Sequence, residues 1–219
     1  MLVTDKLWKH RKYMCKNECI KVWDLFVRIS HWSLVLIVLI AFLSGDEKNP
    51  IHIYAGYTIL AIISLRFVWG FIGGKHARFT NFIYSPSLAV EYIKQLLKRE
   101  PKYYVGHNPA AGWMVILLLI FLAVVCATGH MAYKFKGQGI SVQNFSIIKY
   151  AYADSDDDDE YEHEDEPEEN EFWEDIHEGT ASALLILIFL HVSGALLSSK
   201  LHNENLVMAM ITGKKEKKA

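Results

Sequence analysis

Four long apolar blocks, separated by charged stretches, dominate the pattern of this chain. They run from about residue 29 to 43, 53 to 71, 113 to 133 and 176 to 198. A helix rises about 1.5 Å per residue, so about 20 residues cross a hydrocarbon layer of about 30 Å. Each block approaches that length once its amphipathic ends are included. The pattern predicts an all-α fold, an integral membrane four-helix bundle with residues 29–200 as its transmembrane domain. Residues 1–28 form an N-terminal extension and residues 201–219 a tail. Between the second and third blocks, Ser85-Pro86 has the chemistry of a helix start. Leu88, Tyr92, Ile93, Leu96 and Leu97 then share one face, with Lys94, Lys98 and Arg99 away from it. This predicts a short helix over 86–99 lying on the membrane surface.

Charge sets the direction of the spans. If the four blocks alternate, 18 of the 23 Lys and Arg residues fall on one side and four on the other, with Arg66 inside the second block. Positive residues stay in the cytoplasm, so both termini are expected there. The extension has no apolar core of the kind a cleaved signal peptide needs, and is expected to be retained. The location implied is the cytoplasmic (inner) membrane, with lipid as the surrounding partner. Nothing in the pattern points to nucleic acid.

The third loop, 134–175, falls outside the cytoplasm in this topology. From Asp154 to Asp175, 15 of 22 residues are Asp or Glu. Such a run cannot bury a core and is expected to be largely disordered on its own. It reads either as a solvating loop or as a docking surface for a positively charged partner outside the cytoplasm, with steering that weakens as salt rises. Cys15 and Cys19 have C-x3-C spacing rather than the C-x2-C of most metal or redox pairs, and are expected to be reduced and idle. Cys126 lies inside an apolar block and reads as packing.

Ionisable side chains inside spans are costly and point to function. His177 and His191 lie 14 residues apart in the fourth block. That is close to four turns, so both share a face and stand roughly 21 Å apart along the axis. The first span begins at the level of His191 and carries His31. The second begins at the level of His177 and carries His52. Depth therefore pairs His31 with His191 and His52 with His177. Two imidazole pairs at two levels suit two six-coordinate haem irons, because bundle cores hold cofactors between facing helices. Zinc or di-iron would want more ligands at each level, often carboxylates. Gly56 and Gly194, about one turn from His52 and His191, would admit a flat macrocycle, although glycine also serves plain helix packing in membranes. His130, at the outer end of the third block, competes for the place of His52 or His177. His10, His76, His107, His163 and His202 read as solvated or structural. Arg28 and Arg66 are placed either to meet haem propionates or to snorkel to lipid phosphates.

The chain resembles the bacterial cytochrome b-561 and nickel-hydrogenase b-type cytochrome family. The resemblance lies in VWDLFVRISHW (22–32), HIYAGY (52–57), RFVWGFIGGKHARF (66–79), GHNPAAGWM (106–114), HEGTASALLILIFLHVSGAL (177–196) and ENLVMAMITGKK (204–215). It implies a di-haem cytochrome with two haem b groups, ligated by His31, His52, His177 and His191. It also implies electron transfer between the quinone pool and a periplasmic redox partner. The segments at 66–79 and 106–114 look most like members serving periplasmic c-type cytochromes, and such a partner would dock at 154–175. The alternatives are a haem-bearing anchor subunit of a hydrogenase or other oxidoreductase complex, and a superoxide:quinone oxidoreductase. A channel or transporter would show broken spans or paired acids at the midplane, and the sequence has neither.

Overall fold

The computed structural model describes residues 19–45, 49–135 and 168–216. His10, Cys15, His163 and most of the acidic run lie outside them. Four helices are long and apolar enough to cross a membrane: α1 (Leu25–Leu43), α2 (Pro50–Ile72), α4 (Pro109–Tyr133) and α5 (Glu168–Leu201). Two shorter helices, α3 (Pro86–Leu97) and α6 (Leu206–Thr212), a 3-10 turn (Phe79–Asn81) and a two-stranded ribbon complete the described elements.

Each span starts where its cap chemistry puts it. Asp24 accepts from the Val27 amide at 2.8 Å, Asn49 from Ile51 at 3.0 Å and Asn108 from Ala111 at 2.8 Å. Pro50 and Pro109 occupy first-turn positions, where a missing N–H costs nothing. These caps explain why α1, α2 and α4 begin three or four residues before the apolar blocks do. The helix α5 starts ahead of its apolar block. The acidic run was expected to be largely disordered on its own; its last eight residues, 168–175, belong to the helix, and 154–167 lie outside the described residues. Glutamate is a good helix former and is favoured near a helix N-terminus, where the dipole is positive.

The helix α1 packs along α2, α2 against α4, and α4 along α5. Ile59, Ile63, Leu122 and Leu184 form a buried cluster halfway along the bundle. The outward faces stay apolar, with Leu36, Phe42, Phe67 and Phe189 exposed as lipid-facing residues should be. On α3, Ala89 and Tyr92 are buried against the bundle, whereas Leu88, Ile93 and Leu97 remain open to a membrane surface.

A second core closes the end of the bundle that carries both chain ends, the terminal end. Strand β1 (Cys19–Lys21) pairs antiparallel with β2 (Lys214–Glu216), Ile20 opposite Lys215. Val22, Trp23, Val27 and Ala209 form a buried cluster, with Trp69, Ala77 and Met210 packed on it. The Lys215 ammonium meets the Glu204 carboxylate at 3.1 Å with both side chains buried. Tyr103 lies beside them, and its phenol is pushed up to about 12, first by burial and then by the neighbouring Glu204 carboxylate. Cys19 is disulfide-bonded, which corrects the expectation of a reduced thiol. Spacing along the chain speaks to metal-ligand patterns, whereas the approach of two Cα atoms decides a disulfide.

Candidate functional site

Helix periodicity sends His177 and His191 to one face of α5, and α1 and α2 bring a histidine to each level. The His31 and His191 rings lie 6.5 Å apart between centres, and those of His52 and His177 5.9 Å apart. The cluster around Leu184 separates the two pairs. A metal held between two imidazoles places their ring centres roughly 6 Å apart, from a bond of about 2 Å on each side plus the ring radii. Both separations suit that arrangement.

At the distal end, opposite the chain ends, the tautomers follow from the hydrogen bonds. His52 Nδ1 lies 2.9 Å from the Ala41 carbonyl, and His177 Nδ1 lies 3.1 Å from the Val125 carbonyl. A carbonyl only accepts, so each Nδ1 carries the proton and each Nε2 keeps its lone pair. This is how proteins orient imidazoles for a metal. Thr128 Oγ1 adds a contact to His177 Nδ1 at 3.3 Å.

A cavity of ≈ 430 Å³ opens beside this pair, lined by His52, Gly56, Leu122, His130 and His177 among others. A Cβ placed on Gly56 would meet no atom within 4 Å, so its face is open. The same holds for Gly194, beside His191. A Cβ on Gly129 would instead sit 2.8 Å from His177 Cε1. Gly129 was invisible as a site residue in the sequence, because its partner lies on another helix. A flat, largely apolar macrocycle fits this chemistry: open glycine faces, an apolar wall and two imidazoles presenting lone pairs. His130, named as a competitor for a ligand place, has its Nδ1 3.0 Å from Tyr57 Oη.

At the terminal end, His31 Nδ1 is buried with no hydrogen-bond partner among the described residues. The two arginines differ. Arg28 Nη1 donates to the Thr212 carbonyl at 2.6 Å, tying α1 to the tail. Arg66 stands 14 residues after His52 on α2, so it shares that helix face at the level of the terminal pair. Its Nη1 makes one long contact, 3.5 Å to the Val27 carbonyl. Of the solvated or structural roles expected of it, His107 takes the structural one. Its ring packs edge-on to Trp23 at 4.5 Å and against Phe82 at 4.6 Å, with Nδ1 shielded from solvent. Burial, then the charges of Arg66 and Lys215, pushes its pKa down to about 3. Its sequence signal was the aromatic and glycine-rich setting of 106–114, which the histidine count alone passed over.

Four apolar helices with imidazoles paired at two levels define the class of membrane-embedded electron carriers. The profile of the prokaryotic cytochrome b561 family matches residues 22–213, and the chain belongs to that family. It is a multi-pass membrane b-type cytochrome, whose prosthetic group is haem b. It is 24% identical over 225 residues to a probable Ni/Fe-hydrogenase B-type cytochrome subunit of Bradyrhizobium diazoefficiens, covering 89% of this chain and 85% of the relative. A protein of the same description from Rhizobium leguminosarum bv. viciae is 23% identical over 239 residues, with 94% and 92% covered. Another from Rhodobacter capsulatus is 22% identical over 229 residues, with 90% and 82% covered. No solved structure matches the chain.

Proposed function

We propose that this chain is the haem-bearing membrane subunit of an oxidoreductase complex, passing electrons between a partner enzyme and quinone in the bilayer. In this reading His31 and His191 hold one haem b, His52 and His177 a second, and both termini face the cytoplasm. The observation that carries it is the pairing of rings at 6.5 Å and 5.9 Å on either side of an apolar layer. A haem at each level supplies one-electron chemistry, with the irons roughly 20 Å apart by helix rise. The protein's part is to orient the imidazoles, exclude water and compensate the haem carboxylates. Arg66, with donors to spare, suits the carboxylates at the terminal end better than Arg28, whose Nη1 is engaged by Thr212.

The names of the relatives favour a hydrogenase as the partner over the c-type cytochrome suggested by the segments at 66–79 and 106–114. The soluble c-type partner stays as the second reading because of the acidic run 154–175, a surface suited to a basic protein.

Haem counting on the purified protein tests the ligand assignment. Two haem b per chain are expected, and replacing any one of the four histidines with alanine should remove one haem. One haem per chain, or retention of both after such a replacement, would sink the assignment. Co-purification with a large metalloenzyme supports the anchor reading, and capture of a basic c-type cytochrome by cross-linking through the acidic run supports the other.

A further inference from the structure

The distal cavity has a polar edge that the ligand assignment does not use. Tyr57 lies five residues after His52 on α2, and its side chain leans toward the helix N-terminus, as helical side chains do. That direction brings Oη to 3.0 Å from His130 Nδ1 on α4. Both residues line the same ≈ 430 Å³ cavity as His52 and His177. Gly129, next to His130, lies against the His177 ring, so the edge and the ligand pair are built on one stretch of α4.

Among the described residues the cavity lining contains no lysine or arginine, and its one acidic side chain is Glu178. Haem b carries two carboxylates on one edge, and a carboxylate facing an apolar bundle needs donors. Outside the ligands, the lining hydroxyl and imidazole donors are Tyr57, His130, Tyr133 and Ser182, and of these Tyr57 and His130 are joined by a hydrogen bond. A phenol is the ready donor to Nδ1, which puts the His130 proton on Nε2, free to donate outward.

We propose that His130 Nε2–H, oriented by the Tyr57 phenol, is the donor that binds a carboxylate of the distal haem, positioning the macrocycle that His52 and His177 hold. The inference rests on the two-haem reading. Donors to a haem carboxylate stabilise its charge and draw electron density from the ring, which raises the reduction potential of that haem. Their removal lowers it.

The test uses the full-length chain in detergent, with Tyr57→Phe and His130→Gln compared with the parent. Three readouts are taken: haem per chain, the midpoint of each haem in a redox titration, and the resonance Raman bands of the haem carboxylate groups. The expected result is two haems per chain in both variants. The distal haem should show a lowered midpoint and shifted carboxylate bands, while the terminal haem stays unchanged as an internal control of folding. An unchanged midpoint and unchanged bands in both variants would overturn the proposal while leaving the two-haem reading intact. Loss of the distal haem in His130→Gln with recovery on added imidazole would also overturn it, because His130 would then be a ligand. A parent protein holding a single haem would sink the two-haem reading itself.

Discussion

Gly129 on α4 and His177 on α5 are in direct register: a Cβ at position 129 would lie 2.8 Å from His177 Cε1 and 3.0 Å from Nδ1. The glycine leaves room for the imidazole to turn its Nδ1 to the Val125 carbonyl and its Nε2 to the cavity. Gly129→Ala should therefore push the ring off that hydrogen bond. One haem should be lost or become high-spin, with the other unaffected, as read by absorption and EPR spectra. Gly179→Ala, whose Cβ would meet no atom within 4 Å, serves as the control and should keep both haems.

Gly213 holds the tail under α1. Its φ is +79°, and its carbonyl accepts from the amides of Val22 at 2.9 Å and Trp23 at 3.2 Å. A Cβ there would sit 2.6 Å from both Arg28 Nη1 and the Trp23 carbonyl oxygen. Gly213→Ala should cost about 1–2 kcal/mol from the left-handed backbone, and more from the clash. Thermal unfolding in detergent should show the lower midpoint. On the two-haem reading, the haem proposed at His31 and His191, close to Arg28, should be the one released first on heating.

The Glu204–Lys215 pair is buried, at 3.1 Å. Removing one partner strands the other charge, so Lys215→Met alone should destabilise by about 3–5 kcal/mol. Glu204→Leu combined with Lys215→Met removes both charges and should recover most of that loss. A double variant as unstable as the single one would mean that the apolar pair packs badly, not that the charges attract.

His107 gives a pH dependence with a definite sign. Its pKa falls from 6.5 to about 3 in the folded chain, so below 6.5 the unfolded chain binds the proton more readily. Stability from this group is full above pH 6.5 and is lost as pH falls toward 3, by up to about 1.4 kcal/mol per pH unit. His107→Phe should flatten the fall in unfolding midpoint across that window, with the difference from the parent largest at its acid end.

The sequence by itself determined the four spans and the depth pairing of His31 with His191 and His52 with His177. Both depend on local quantities, namely the length of an apolar run and the rise of a helix, and so they survive without knowledge of packing. The tertiary structure decided what lies between elements. It set Gly129 against His177, paired His130 with Tyr57, and supplied the Ala41 and Val125 carbonyls that fix the imidazole tautomers. It also folded the tail onto β1 and α1, where Thr212 and Gly213 engage Arg28 and Trp23 across more than 180 residues. Such contacts join side chains and backbone groups far apart in the chain. Hydropathy carries no record of them, because a glycine beside a histidine on another helix looks in sequence like any other small residue in a span.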